Sequence, residues 1–167
     1  SAQPFRVLAH NGEINTLKGN VNWMKAHECR LASEDLGEAI EDVKPIIQPG
    51  SSDSAALDAV FELLVRADRD LPMAKAMLMP EAWHKDSPIR QARKDFNSYC
   101  NAVMESWDGP AAVCGFGGRW LVAGMDRNGL RPMRYTISGD GLLIVGSETG
   151  MVVVDEGEVA ERGRVGP

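Results

Sequence analysis

Apolar positions along the chain follow two rhythms. Between residues 16 and 103 they recur every three or four residues, and beyond Gly109 they gather in short runs separated by glycines. Residues 5–9 predict a short, mostly apolar strand that ends at His10-Asn11-Gly12. A helix is predicted over residues 16–33 from Leu17, Val21, Met24 and Leu31, with Glu28 interrupting the stripe. A loop containing Pro45 and Pro49 leads to Ser51-Ser52-Asp53-Ser54. Leu57, Val60, Phe61 and Leu64 then share one helical face, and Pro72 can open a further short helix. Ser87-Pro88 reads as an N-cap followed by proline at the first helical position, with Ile89, Ala92, Phe96, Tyr99 and Val103 continuing the helical spacing.

The second rhythm predicts hairpins. Residues 111–116 and 120–123 flank Gly117-Gly118-Arg119, and residues 133–137 and 142–145 flank Ser138-Gly139-Asp140-Gly141. Residues 151–154 predict one more strand, and residues 164–167 end the chain just after an Arg/Gly-rich turn. One strand, several helices and then antiparallel strands imply a single α+β domain over residues 1–167, with helices packed on an antiparallel sheet. Neither end reads as a natural domain boundary, so the expectation is a domain truncated at both ends.

Composition narrows the function classes. A net charge of −6 and scattered basic residues argue against nucleic acid or an anionic membrane as a partner. The three cysteines, Cys29, Cys100 and Cys114, are far apart and form no CxxC. That pattern argues against a disulfide framework or zinc cluster and implies a cytoplasmic location. No apolar run approaches the roughly 20 residues that span a bilayer, and the first residues do not resemble a signal peptide.

His10-Asn11-Gly12-Glu13 is the densest polar cluster. Asn-Gly after a strand is ordinarily a hairpin turn, because both residues tolerate positive φ. A helical pattern follows, however, where a hairpin needs a returning strand. The functional alternative is an oxyanion hole, in which the Asn11 amide and the Gly12 N–H point at a developing oxyanion. Asp53, before a helix, is either a cap or a carboxylate that pairs with a substrate ammonium, and the two roles are compatible. His10, His27 and His84 have no metal-ligand spacing. Glu13 and Glu148 are unpaired acid/base candidates. The four tryptophans read as core residues. Gly115, Gly117 and Gly118 read as a hairpin turn in preference to a phosphate loop.

The strings LAHNGEINTLKGNVNWM (8–24), SDSAALDAVFELLV (52–65), MLMPEAW (77–83), ESWDGPAAVCGFGGRWLVAGMDRNGLRPMRY (105–135) and GSETG (146–150) resemble the glutaminase domain of glutamate synthase large subunits. The likeness runs along essentially the whole chain. Other class II glutamine amidotransferases share only the HNG element, an Asp near a helix start and a turn matching Asp126, Gly129, Arg131 and Pro132. The resemblance implies an N-terminal-nucleophile hydrolase fold, an αββα sandwich of two antiparallel sheets covered by helices. It implies hydrolysis of glutamine to glutamate and ammonia by an N-terminal cysteine whose α-amino group is the base. The ammonia then passes to 2-oxoglutarate.

By that resemblance Asn11 and Gly12 match the oxyanion-hole pair. Asp53 matches the carboxylate that holds the substrate α-ammonium, and Gly12 also lies against the substrate. The arginine for the substrate carboxylate is expected upstream of these residues. FMN and an iron–sulfur cluster are expected in other domains of such an enzyme and no cofactor in this segment. The implied partners are glutamine, the remaining synthase domains and a small reductase subunit. The first residue is Ser1 and not cysteine, the strings match an internal segment downstream of the family's nucleophile, and Ser1 does not fit as a replacement, so these residues alone are expected to be inactive. The competing readings are a non-catalytic binding module on the same scaffold and a class II amidotransferase with a different acceptor.

Overall fold

The computed structural model describes residues 3–34 and 36–167; Ser1, discounted above as a nucleophile, lies outside the described residues. The first strand, β1 (Leu8–Gly12), is followed by helix α1 (Leu17–Glu28) and a 3₁₀ segment, Gly37–Val43. Helices α2 (Asp53–Arg66), α3 (Leu71–Leu78) and α4 (Gln91–Val103) come next. The chain then turns to strands: β2 (Ala111–Gly117), β3 (Trp120–Met125), β4 (Arg134–Ser138), β5 (Leu143–Gly146) and β6 (Val159–Arg164). Two antiparallel sheets result, ordered β1-β2-β3 and β5-β4-β6. The α+β expectation holds.

Side chains alternate across a strand, so each face of the first sheet has its own neighbours. Leu8, Val113 and Val122 face the helices, where they meet Leu57, Val60, Phe61 and Leu64 of α2 and Leu71, Met77 and Leu78 of α3. Ala112, Cys114, Ala123 and Met125 face the other way and pack with Met133, Val145 and Val165 around the second sheet. The helix-side core is much the larger, and truncating one of its buried leucines costs about 2–5 kcal/mol.

Local signals explain the element starts. Ser52 caps α2 by accepting the Ala55 N–H, and Asp70 caps α3 by accepting the Met73 N–H, with Pro72 in the first turn. The β2–β3 hairpin turns at Gly118-Arg119, where Gly118 takes φ +59°.

Several boundaries differ from the sequence expectation. The first strand begins at Leu8 and contains His10-Asn11-Gly12, because the Arg6, Val7 and Leu8 amides bond to the Asp58 carboxylate. The Asn-Gly pair is no hairpin turn: β1 pairs with β2, about a hundred residues on. Helix α1 ends at Glu28, whose carboxylate takes the Ile46 N–H of the returning loop. Ser87 does not cap α4. Its hydroxyl accepts the His84 N–H, and the helix starts at Gln91.

The apolar stripe of α4 is turned outward: Phe96, Tyr99 and Val103 are exposed, while Lys94, Asn97 and Cys100 are buried. The Lys94 Nζ donates to the Lys85 carbonyl and lies over the Trp83 ring, so its charge is satisfied at the packed face. Among the tryptophans, only Trp107 is buried; Trp23, Trp83 and Trp120 are exposed. Residues 151–154 form an irregular exposed segment, and the last strand is β6, which takes the free edge of β4. No helix among the described residues is long and apolar enough to cross a membrane.

Candidate functional site

Helix α2 is fastened to β1 at three levels. Its buried Asp58 carboxylate accepts the Arg6, Val7 and Leu8 amides at 2.9–3.2 Å. The Ser54 hydroxyl lies 2.8 Å from His10 Nδ1. The Asp53 Oδ2 accepts the Ile14 N–H at 2.9 Å, two residues beyond Gly12. Ser52 is the helix cap, so Asp53 reaches across to the loop after β1. Its other oxygen, Oδ1, accepts the Ser54 N–H at 2.8 Å and is approached by the Ser54 hydroxyl at 3.4 Å. The cap alternative is therefore realised one residue earlier, and Asp53 itself joins two distant segments.

The ladder alternation gives the strand its free donors. Phe116 N bonds to Val7 O and Glu13 N to Pro110 O, which makes Leu8, His10 and Gly12 the members whose amides point away from β2. At that free edge the Leu8 amide is taken by Asp58. The His10 amide and carbonyl are both taken by the Gln3 side chain, at 2.6 and 2.7 Å. The Gly12 N–H has no protein partner among the described residues. Gly12 has φ +151°, and a Cβ there would stand 1.9 Å from the Pro110 carbonyl oxygen. Only glycine fits this close approach. Asn11 sits on the opposite sheet face from His10, exposed, and its side-chain amide bonds to no protein group among the described residues.

Strand β2 is pinned in turn by Asp126. This solvent-excluded carboxylate accepts the amides of Ala111, Asn128, Leu130 and Arg131 at 2.9–3.1 Å. Burial alone would raise its pKa, but the four N–H donors hold it below the ordinary value. Ala111 is the cross-strand partner of Gly12, so the turn 126–131 sets the position of the candidate oxyanion donor. Sequence reading marked this turn as a family feature without assigning it that role. The Asp-x-Asn-Gly pattern is the signal that an Asp side chain bonds its own turn.

His10 is buried, and burial lowers its pKa; the Asp53 charge opposes that shift and the Arg131 charge adds to it. Among the described residues its Nε2 is buried without a partner, as is the Arg131 Nε. Lys75, on α3 over Gly124, is buried and brought down to about 8 by burial, with Asp126 and Glu81 opposing and Arg93 adding to the shift. His27, on α1, pairs with Glu105 at 2.7 Å, and Glu13 is exposed. Glu148 lines a cavity of about 220 Å³ on the outer face of the second sheet. Cys29 is exposed, Cys100 lies in α4 and Cys114 in β2, and burial raises the pKa of the last two thiols. Among the described residues no group of three or more His, Cys, Asp and Glu side chains is placed to hold a metal.

A glycine-ended strand with a free donor is thus cross-linked to an aspartate at a helix start. The sequence matches the family described as class-II glutamine amidotransferases over residues 1–167, and the chain belongs to that family. It is 61% identical to the large chain of an NADPH glutamate synthase from Azospirillum brasilense, covering 99% of this chain and 11% of that protein. It is 46% identical to a ferredoxin-dependent glutamate synthase from Pyropia yezoensis, again over 99% of this chain and 11% of the relative. With an NADH glutamate synthase from Schizosaccharomyces pombe it shares 45% identity over 99% of this chain and 8% of the relative. The chain thus spans about a tenth of the length of these curated relatives.

Proposed function

We propose that these residues form the glutamine-receiving half of the glutaminase site of a glutamate synthase. The observation that carries this reading is the 2.9 Å bond from Ile14 N–H to Asp53 Oδ2, 39 residues apart in sequence, which ties the loop just after the Asn11-Gly12 strand end to that carboxylate. Two packed antiparallel sheets, one covered by helices, support placing them in an αββα N-terminal-nucleophile sandwich.

Attack of a thiolate on the glutamine side-chain amide puts negative charge on the carbonyl oxygen. In this reading the Asn11 side-chain amide and the Gly12 N–H are the donors for that charge. Asp53 neutralises the substrate α-ammonium; each carboxylate oxygen keeps a lone pair beyond its bond to the backbone. Ammonia leaves, and water hydrolyses the thioester to glutamate.

The thiolate comes from a cysteine other than the three present. Burial keeps Cys100 and Cys114 protonated, and Cys29 sits at the far end of α1. The 167 residues therefore bind and stabilise but do not cleave. Their cysteines are too dispersed to ligate an iron–sulfur cluster, and no step here runs through FMN or that cluster. Transfer of ammonia to 2-oxoglutarate and reduction belong to other parts of the enzyme.

In the full-length enzyme, Asn11→Ala should lower kcat for glutamine hydrolysis by about 10²–10³ with little change in KM. Asp53→Asn should act mainly on KM. Steady-state ammonia release tests both, and unchanged kinetics in the two variants would remove the assignment.

A further inference from the structure

We propose that His10 and Ser54 are positioning residues for Asp53, acting as a neutral hydrogen-bond relay that orients its carboxylate toward the glutamine ammonium. The inference rests on the glutaminase reading of Asp53 and extends it to two residues without an assigned role.

The proposed relay runs from His10 through Ser54 to Asp53. An ionised Asp53 can only accept, and the Ser54 hydroxyl approaches its Oδ1 at 3.4 Å. With its hydrogen turned to Oδ1, the hydroxyl accepts from His10, whose Nδ1 lies at 2.8 Å. In this relay His10 carries its proton on Nδ1, which leaves Nε2 bare. That agrees with an Nε2 that is buried and has no partner among the described residues, since a buried N–H there would be the more costly orphan. The charged groups facing the ring are Asp53 from α2 and Arg131 from the turn after β3, and burial dominates both in keeping the imidazole neutral. A neutral ring adds no positive charge beside a site that receives an ammonium. The Gln3 amide locks the His10 backbone on its other side, so the ring is held by the strand and the carboxylate is held by the ring.

The relay touches Asp53 and not the oxyanion donors. Asn11 points from the opposite sheet face, and the Gly12 N–H points along the strand edge. Loss of the relay should therefore weaken ground-state and transition-state binding alike, which appears in KM and not in kcat.

The test is a set of conservative variants in the full-length enzyme, assayed for glutamine hydrolysis. Ser54→Ala and His10→Gln should raise the KM for glutamine about three- to tenfold, with a smaller change in kcat. Ser54→Thr keeps the hydroxyl. His10→Asn places an amide nitrogen near the position of Nδ1, and both should restore KM toward the starting value. A fall in kcat at constant KM would overturn the relay, because the residues would then act through Asn11 and Gly12. Equal effects of His10→Asn and His10→Gln would also overturn it. Asp53→Asn run alongside separates the two claims: if it leaves KM unchanged, the substrate role of Asp53 fails, and if it alone raises KM, only the relay fails. Ring ¹⁵N shifts give a readout independent of turnover, with Nδ1 protonated and Nε2 of the bare type expected. The reverse tautomer would contradict the proposal whatever the kinetics.

Discussion

The two sheets of this chain are secured in different ways. The first is clamped by carboxylates that bond to backbone amides: buried Asp58 at the start of β1, half-buried Asp53 just past its end, and buried Asp126 at the head of β2. It also rests on the large helix-side core. The second sheet shares only a small core of Ala112, Met125 and Met133 with the first, and the segment beside it exposes Met151, Val152 and Val153. Candidate site residues cluster where the clamps are. A free donor such as the Gly12 N–H is useful only if its strand cannot shift, and three carboxylates hold that strand and its partner. Asp58 and Asp126 serve only to hold the strands, while Asp53 combines that role with the one proposed for it toward substrate.

Asp126→Ala should break this contrast most strongly. It removes the acceptor of four amides, that of Ala111 buried and those of Asn128, Leu130 and Arg131 partly so, and an unpaired buried donor costs about 1–3 kcal/mol. Urea unfolding should show a loss of at least about 3 kcal/mol, and a loss under about 1 kcal/mol would mean that water replaces the carboxylate and the clamp is unimportant.

Lys75 sharpens the comparison, because it buries a charge on the clamped side. Its folded-state pKa of about 8 lies below the ordinary 10.5. Between those values the folded form holds fewer protons than the unfolded form, so unfolding free energy rises with pH. Stability should be flat in this respect below pH 8 and gain on the order of 2 kcal/mol by pH 10.5. Lys75→Met should abolish that slope. An unaltered slope in the variant would place its origin elsewhere.

Val153→Ser is the smallest effect expected. Val153 is 91% exposed beside the second sheet, and thermal unfolding should register a change within about 0.5 kcal/mol. A larger loss would show that this segment is packed in solution.

Much of the element order was legible in the sequence because periodicity reports burial. Leu57, Val60, Phe61 and Leu64 mark α2 and are all buried, and Gly118 marks the β2–β3 turn. Periodicity misleads on α4, where Phe96, Tyr99 and Val103 form a regular stripe that faces outward. Lys94, Asn97 and Cys100 share a face too, but polar types at core positions carry no hydrophobic signal. Strand β6 was missed for a similar reason: its Glu161, Arg162 and Arg164 read as a polar turn, yet backbone pairing with β4 needs no apolar side chain. At the site, the resemblance supplied Asn11, Gly12 and Asp53. The anchoring roles of Asp58 and Ser54 depend on contacts across about 45–50 residues, which no local pattern encodes.

The proposed function requires Asn11, Gly12 and Asp53 to receive one glutamine molecule together. A crystal structure of the full-length enzyme trapped with a glutamine-derived thioester would show whether they do. The carbonyl oxygen should lie about 2.7–3.1 Å from both the Asn11 side-chain nitrogen and the Gly12 amide, with the α-ammonium on the Asp53 carboxylate. A carbonyl oxygen that meets neither donor, or an ammonium bound away from Asp53, would contradict it.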